Sequence, residues 1–262
     1  MPKIKLYQID AFTSQVFGGN PAAVCVLDEW LPDELMQNIA AENNLAETAF
    51  VVRKDADFEL RWFTPTVEVD LCGHATLAAA YVLFKFYEYP GTKINFYSLR
   101  SGLLTVDLDN EELTLDFPAD TLQMVPTPEE LVAAVGVKPT ETYKGKTDYL
   151  LVYTSQKEIE EMVPDMRKLA GIAARGIIVS SPGNTVDFVS RFFAPQVGVD
   201  EDPVTGSAHT TLTPYWSERL GKAVLTAKQV SRRQGDLTVA YLGDRVRITG
   251  RAVAYLQGEI EV

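Results

Sequence analysis

Side chains that could do chemistry are concentrated in one short turn of the sequence. Asp70, Cys72 and His74 lie close together around a glycine, and an apolar run from Ala75 to Phe86 follows directly. A run that is apolar on nearly every side predicts a helix buried in a core. The first turn of such a helix has free N–H groups and the positive end of the helix dipole, which together bind small anions. The turn therefore predicts a reactive site that can hold an anion.

The same arrangement occurs twice in the chain. Residues 57–70 align without a gap with residues 187–200, and eight of the fourteen pairs are identical, where chance would give about one. After a short insertion, Gly73-His74-Ala75 aligns with Gly206-Ser207-Ala208, and a second helix is predicted from Ala208 to Leu220. Because the repeat is about half the chain long, it predicts two similar domains rather than a solenoid of short repeats.

Three charged residues are part of this repeat. Asp57, Arg61 and Asp70 each have an identical counterpart 130 positions later. When a residue recurs at the equivalent position of both halves, a structural role is a simpler explanation than a catalytic one. We therefore expect these side chains to form an ion pair that braces each loop.

A second candidate for chemistry is Glu47, the only charged residue in a strand predicted from Leu45 to Val52. Alternation puts Glu47 on the same face as Ala49 and Val51. Loss of water in such apolar surroundings favours the protonated carboxyl, which suits a general acid or base near neutral pH. A carboxylate at a strand edge, bonded to a backbone amide, explains the pattern equally well. The pattern alone leaves both interpretations open.

Cys72 directly precedes the predicted helix, and this position is expected to lower the pKa of its thiol. The thiol could then act as a nucleophile or a base. Racemases that use two thiol bases need a second thiol, but the matching position in the other half is occupied by the Asp202-Pro203 insertion. Cys25 lies in a predicted buried strand and is interpreted as a small core residue. The sequence therefore disfavours a two-thiol mechanism.

The second copy of the turn, residues 200–208, brings three acids directly before Thr205-Gly206-Ser207. Its backbone N–H groups could hold an anion while a nearby acid supplies a hydrogen bond. Three acids could also bind a divalent metal, but the glycine spacing of a calcium loop is missing, so no metal site is predicted. His209 falls inside the predicted helix and is interpreted as structural, whereas His74 at a helix start is the better catalytic candidate.

Bulk composition excludes several classes of protein. A net charge of -12 without any basic run argues against a nucleic-acid partner. The first residues lack the apolar core of a signal peptide, and no apolar run approaches the length of a membrane span. No GxGxxG or GxxxxGK[ST] loop for a nucleotide occurs, and the two cysteines form no CxxC pair. We expect a cytoplasmic protein that binds neither nucleic acid nor membrane.

The predicted domain boundary is a stretch of turn formers from Pro118 to Pro128. It separates a first domain, 1–117 with 251–262, from a second domain, 118–250. In the second domain, the segment from Lys157 to Leu169 predicts one helix with a solvated charged face.

Five motifs, in this order, resemble the PhzF (phenazine-biosynthesis-like) family over essentially the whole chain. They are Gly19-Asn20-Pro21-Ala22-Ala23-Val24, Ala46-Glu47-Thr48-Ala49-Phe50, Phe63-Thr64-Pro65, Cys72-Gly73-His74-Ala75-Thr76 and Glu201-Asp202-Pro203-Val204-Thr205-Gly206-Ser207-Ala208. The resemblance implies the α+β fold of diaminopimelate epimerase. That fold has two pseudo-symmetric domains, each a curved mixed sheet wrapped around a central apolar helix, with the active site between them.

The resemblance also implies a cofactor-independent isomerase. In the phenazine enzyme, a glutamate moves a proton between ring carbons of a dihydro-hydroxyanthranilate, and that glutamate falls on Glu47. His74 and Asp202 match residues that contact the substrate and assist the proton shift. The resemblance implies five binding positions: Gly73, Gly206 and Ser207 in a backbone cradle, Asn20 at the rim, and Cys72 in place of one thiol of the related epimerases. It further implies a homodimer.

Three hypotheses follow from these observations. The first is an isomerase in which Glu47 moves a proton on a small, cyclic substrate that carries a carboxylate. The second is a thiol-dependent amino-acid epimerase that uses Cys72. The third is a binding protein that keeps the site for a metabolite without catalysis.

Overall fold

The computed structural model describes residues 3–262. These residues form two compact units, 3–116 with 249–262 and 117–248. We call them unit 1 and unit 2. Met1 and Pro2, which the sequence analysis placed in the first domain, lie outside the described residues.

Unit 1 contains two helices, α1 and α2, and a mixed set of strands. They are β1 (Lys3–Ala11), β2 (Asn20–Leu27), α1 (Asp33–Asn43), β3 (Glu47–Lys54), β4 (Asp57–Phe63), β5 (Glu68–Val69), α2 (Gly73–Phe86), β6 (Lys93–Ser98), β7 (Gly102–Asp109), β8 (Glu112–Pro118) and β18 (Ala252–Glu261). The strand predicted from Leu45 to Val52 occurs as β3, and the helix predicted from Ala75 to Phe86 occurs as α2, with ends shifted by at most two residues.

Strand pairing in unit 1 brings two polar side chains to one edge. β2 lies antiparallel to β1 and parallel to β3, with Ala22 opposite Glu47. Asn20 is two residues before Ala22, so the alternation of a strand puts all three on the same face. Because β2 and β3 run in the same direction, Asn20 and Glu47 lie at the same end of the two strands.

Helix α2 is the centre of unit 1. It contacts β1, β2, β3, β7 and β18, and its residues from His74 to Ala80 are all buried. Alanines at four of those positions let the helix approach the strands closely. The apolar run read from the sequence thus forms a buried helix, which begins two residues before the predicted start at Ala75.

Unit 2 contains the remaining helices and strands. They are β9 (Gln123–Met124), α3 (Glu129–Val135), β10 (Glu141–Lys144), β11 (Asp148–Val152), α4 (Gln156–Glu161), α5 (Met166–Leu169), β12 (Gly176–Pro182), β13 (Phe188–Ala194), a 3₁₀ turn (Pro195–Val197), β14 (Val199–Asp202), α6 (Gly206–Leu220), β15 (Val224–Gln229), β16 (Gly235–Tyr241) and β17 (Arg245–Gly250).

The pairing order of unit 1 recurs in unit 2. The sequence β1, β2, β3, β4 pairs as antiparallel, parallel, antiparallel, and β10, β11, β12, β13 pairs in the same way. β4 then runs parallel to β6, as β13 does to β15. Each unit also places a long helix, α2 or α6, at the same point of this order. The duplication seen in the sequence is therefore a duplication of topology.

Helix α6 differs from α2 in containing Pro214. A proline has no N–H, so the carbonyl four residues earlier loses its partner within the helix. That carbonyl belongs to Thr210, and it accepts a hydrogen bond from the N–H of Asp120 at 3.2 Å. The Asp120 carboxylate also accepts from the Thr211 hydroxyl at 2.9 Å. The segment after β8 thus satisfies the backbone group that the proline leaves open.

The helix predicted from Lys157 to Leu169 is wrong. The structure has two short helices there, α4 and α5, separated by Pro164 and its neighbours. Proline disfavours a helical conformation in the residue before it and cannot donate to the preceding turn. Asp165 begins α5 by accepting hydrogen bonds from the N–H groups of Arg167 and Lys168. The sequence interpretation followed the charge pattern and overlooked the proline.

Each loop brace is formed by the repeated arginine, but the predicted acidic partner is wrong. Arg61 binds Glu68 with its Nε 2.7 Å from Oε1, and Arg191 binds Glu201 at the same distance. Asp70 instead pairs with Arg100. The gap-free alignment hides the equivalence of the two glutamates because β14 pairs with β13 through an irregular register.

Candidate functional site

Four of the predicted site residues meet at the start of α2. Glu47 is the first residue of β3 and Asn20 the first of β2. Cys72 precedes α2, and His74 is the second residue of that helix. The parallel strands and the central helix therefore deliver side chains from three separate stretches of sequence to one place. We call this group the His74 cluster: Asn20, Glu47, Cys72 and His74.

The imidazole of His74 is the hub of the cluster. Its Nε2 lies 3.2 Å from Oε2 of Glu47. On the other side of the ring, Nδ1 lies 3.1 Å from Nδ2 of Asn20 and 3.4 Å from Sγ of Cys72. The two edges of the ring thus face different chemistry, a carboxylate at Nε2 and an amide with a thiol at Nδ1.

The atoms that face each other across the Nε2 edge are incompletely satisfied. Neither Oε2 of Glu47 nor Nε2 of His74 has a partner in hydrogen-bond geometry within residues 3–262, although both atoms are buried. Buried polar atoms of this kind are rare in folded proteins, and active sites are among the places where they occur. The pair offers an acid/base oxygen and a ring nitrogen side by side to a third molecule.

Two opposing effects act on the pKa of His74. Burial disfavours the charged ring and would lower the pKa of His74, but the neighbouring Cys72 sulfur and Glu47 carboxylate outweigh burial and raise it above its ordinary value. The ring is therefore held in a state that readily carries a proton next to Glu47.

The expectation for the Cys72 thiol is wrong. Burial, with a further contribution from the Glu47 carboxylate, raises the pKa of Cys72 to about 11. The helix start does not compensate for the loss of water, because the side chain is enclosed and a negative charge lies beside it. Cys72 is therefore a thiol at neutral pH. Burial likewise raises the pKa of Cys25 to about 12, in keeping with its interpretation as a core residue.

The start of α2 has the features of an anion site. Helices α1 and α3 carry their own acids in the first turn, Asp33 with Glu34 and Glu129 with Glu130. Helix α2 has no acidic residue in its first turn, and neither has α6. The N–H groups and the dipole of these two helices are thus left for an external anion.

The donor atoms of the cluster also raise the question of a metal. An oxygen of Glu47, the sulfur of Cys72 and a ring nitrogen of His74 lie within 4.8 Å of one another. One ion can use only one nitrogen of the ring, whereas the sulfur lies beside Nδ1 and the carboxylate beside Nε2. The three side chains would have to rearrange to bind one ion, so the geometry fits proton chemistry better.

The residues predicted in the second half lie at the start of α6. Asp202 ends β14, and its carboxylate accepts a hydrogen bond from the Thr205 hydroxyl. Gly206 and Ser207 are the first residues of the helix. The residue before the helix, which corresponds to Cys72, is Thr205 and not the insertion named in the sequence analysis. Unit 2 therefore has a hydroxyl where a second thiol would stand.

Sequence reasoning missed three residues that organise this second helix start. Gln229 accepts from the N–H of Thr205 at 2.8 Å and donates to the carbonyl of Asp202 at 2.7 Å. Arg175 donates from Nε to the buried Asp148 at 2.9 Å and from Nη2 to Ser207 at 3.0 Å. Gln229 ends β15, Asp148 begins β11 and Arg175 directly precedes β12. These positions could have been found only by aligning the two halves strand by strand.

The chain matches a known protein family over most of its length. The model of a family described as phenazine biosynthesis-like protein, PhzC-PhzF, matches residues 9–258. The chain belongs to this family. An uncharacterized isomerase of Pseudomonas aeruginosa is 52% identical to this PhzF-family chain over 261 residues, which cover 99% of each protein. The crystal structure of a PhzF family protein from Enterococcus faecalis covers all of both chains with 45% identity and a TM-score of 0.97.

More distantly related structures share only the fold with this chain. A hydroxyproline epimerase from Agrobacterium vitis has a TM-score of 0.62 at 10% identity, over 98% of this chain and 92% of that chain. The predicted epimerase-like α+β fold is thus confirmed. The PhzF-family protein is an isomerase, as its curated relatives are named. None of the helices within residues 3–262 is long and apolar enough to cross a membrane.

Proposed function

We propose that this PhzF-family isomerase moves a proton on a small, cyclic substrate that carries a carboxylate, without a cofactor. Glu47 takes the proton from one carbon and returns it to another. His74 contacts the substrate beside Glu47 and stabilises the charge that develops during the transfer.

One observation carries this proposal: Oε2 of Glu47 and Nε2 of His74 lie 3.2 Å apart and are buried without another partner. A base that must accept and return a proton needs a lone pair that the protein has not already used. A cation or N–H donor next to it stabilises the anionic form of an enol-like intermediate. Both features are present in a single pair of side chains.

The start of α2 is a reason to expect a carboxylate on the substrate. Its first turn carries no acid, and Gly73 is the first residue of the helix, directly before His74. Backbone N–H groups here can hold an anion close to the proton-transfer pair. The family resemblance adds Asp202, Gly206 and Ser207 as further substrate contacts, and a homodimer in the cytoplasm. These remain predictions.

Proton NMR in deuterated buffer tests the reaction. The purified protein is incubated with the phenazine-pathway dihydro-hydroxyanthranilate, and both loss of substrate signal and deuterium incorporation are followed. We expect exchange with the native protein and a rate about 10²–10⁴ times lower with Glu47→Gln, since that is the range of general acid–base catalysis.

The matched control is Glu59→Gln. Glu59 lies in β4 and accepts a hydrogen bond from Trp30, outside the His74 cluster, so its variant loses the same charge and should exchange at the native rate. Exchange that survives Glu47→Gln would contradict the proposed role of that residue. No exchange with any of the three proteins would exclude this substrate.

The thiol-dependent epimerase is the main alternative, because Cys72 contacts His74 as a catalytic thiol would. The raised pKa of Cys72 and the threonine at the matching position count against it. Cys72→Ser decides: an inactive serine variant together with an active Glu47→Gln would favour the thiol. A ligand that raises the melting temperature without any hydrogen exchange would favour a binding protein.

A further inference from the structure

The surroundings of Asn20 differ from the rim position that the family resemblance implied. It is fully buried and is the first residue of β2, where its backbone pairs with Ala11 of β1. A fully buried side chain on a residue whose backbone is paired has little freedom to follow a substrate. Its amide points at the imidazole of His74, with Nδ2 3.1 Å from Nδ1.

The titratable groups that face the His74 ring are few. Glu47 approaches from β3 at the Nε2 edge, and Cys72 approaches from the residue before α2 at the Nδ1 edge. A thiol is a weak hydrogen-bond donor and a weak acceptor. Asn20 is therefore the strongest hydrogen-bonding partner that the described residues offer to Nδ1.

The ring needs opposite partners at Nδ1 in its two charge states. A neutral ring whose proton is on Nε2 accepts at Nδ1, and the Asn20 amide N–H can donate to it. A charged ring donates from Nδ1, and the carbonyl of the same amide can accept from it. The two ends of an asparagine amide have nearly the same shape, so a turn of 180° exchanges donor for acceptor in the same space.

We propose that Asn20 is a positioning residue that serves Nδ1 of His74 in both protonation states of the ring, as a donor to the neutral ring and as an acceptor from the charged one. His74 can then gain or lose its proton beside Glu47 without leaving a buried ring nitrogen unsatisfied. The importance of this for turnover rests on the proposed function, whereas the contact itself does not.

Nearly isosteric variants separate the two roles of the amide. Asn20→Asp can only accept once it is ionised, so it should stabilise the charged ring. Asn20→Leu can do neither. Because a hydrogen bond from the charged ring is stronger than one to the neutral ring, losing both should favour the neutral ring. We expect the titration midpoint of His74 to fall in the order Asp variant, native protein, Leu variant, with steps of about one pH unit each. The midpoints are read by NMR of the ring signals without substrate.

The chain provides its own reference for this titration. It contains only two histidines, and His209 is buried in unit 2 with Nδ1 2.8 Å from the carbonyl of Thr205. Its signal should not respond to any change at position 20. Asn43→Asp is the matched control variant, because Asn43 donates to Thr48, next to Glu47, and not to the ring.

Equal His74 midpoints in the native protein and in Asn20→Leu would overturn the proposal. If the buried aspartate of Asn20→Asp prevents folding, as thermal unfolding will reveal, the comparison of the native protein with the leucine variant still decides. Deuterium exchange is then measured on the same proteins. Shifted midpoints without loss of exchange would leave the contact established and refute its part in turnover, while absence of exchange in the native protein would count only against the proposed function.

Discussion

The two units pair their strands in the same order but carry different chemistry at the start of their central helices. In unit 1, an acid, an imidazole and a thiol meet, and no arginine or lysine contacts the acid among the described pairs. In unit 2, the buried Asp148 is already bound by Arg175. The Asp148 carboxylate thus already has a cationic partner, whereas among the described residues the Glu47 carboxylate has only the imidazole of His74 beside it. The duplicated fold therefore provides equivalent positions in both units, and the residue type at each position determines whether it has a structural or a catalytic role.

The position of Glu47 shows why unit 2 has no second acid of this kind. Glu47 lies opposite Ala22 in the parallel pair of unit 1, and the corresponding residue of unit 2 is Gly176, opposite Asp148. A Cβ atom at Gly176 would collide with the ring of Phe192. A glutamate at this position of unit 2 would therefore require the ring of Phe192 to move as well.

His209 and Thr76 occupy the same place, the fourth residue of each central helix. The Thr76 hydroxyl donates to the carbonyl of Cys72 at 2.6 Å, and Nδ1 of His209 lies 2.8 Å from the carbonyl of Thr205. Each side chain therefore satisfies the backbone of the residue that precedes its helix. His209 does with an imidazole what Thr76 does with a hydroxyl, which supports its interpretation as structural.

The largest expected effect tests whether Glu47 and His74 act as a unit. Glu47→Gln and His74→Gln should each lower the deuterium exchange rate by about 10²–10⁴. Because each residue needs the other, the double variant should be hardly slower than the worse single variant. Exchange rates of the four proteins test this, and losses that multiply in the double variant would show that the two residues act independently.

A second prediction contrasts the two histidines. Burial lowers the pKa of His209 to about 4, below its ordinary value in the unfolded chain, so between about pH 6.5 and pH 4 only the unfolded chain binds a proton there. Stability is therefore lost as the pH falls through this window, by about 3 kcal/mol in total. His74, whose pKa is raised in the folded protein, contributes in the opposite sense. Its contribution to the free energy of unfolding is complete below about pH 6.5 and is lost as the pH rises through its folded pKa.

Denaturant unfolding of the native protein and of His209→Gln at several pH values measures the first effect. Carboxylates titrate equally in both proteins, so the difference in their pH dependence isolates His209. Parallel curves from pH 6.5 to pH 4 would mean that His209 is protonated in the folded protein.

The smallest expected effect compares the two loop braces. Arg61 binds Glu68 and the exposed Asp33. Arg191 binds Glu201. It also donates to the carbonyl of Ile159 in α4 and to that of Met162, the residue directly after this helix. We expect Arg61→Met to lower the free energy of unfolding by about 1 kcal/mol and Arg191→Met by about 2 kcal/mol, since buried carbonyls then lose their donors. Equal losses in denaturant unfolding would show that the carbonyl contacts add nothing.

Much of the fold could be predicted from the sequence because its signals are local. The apolar run of α2, the alternation around Glu47 and the repeat of residues 57–70 depend on neighbours in the chain. The broken helix at Pro164 was missed although its signal is local as well. The site was predicted in part. His74 and Cys72 are two residues apart in the sequence, but only a family resemblance assigned Asn20 and Glu47 to the same site.

The sequence by itself determined the duplication, the two central helices and the residues that could move a proton, because residue type and periodicity act over short distances along the chain. Only the tertiary structure decided the state of those residues. Packing excludes water from Cys72 and so raises the pKa of its thiol, which the position before the helix alone would have lowered. Parallel pairing of β2 with β3 set Asn20 and Glu47 on one face, and α2 placed His74 against both. Burial and approach distance are properties of the folded chain, and no reading of neighbours in sequence contains them.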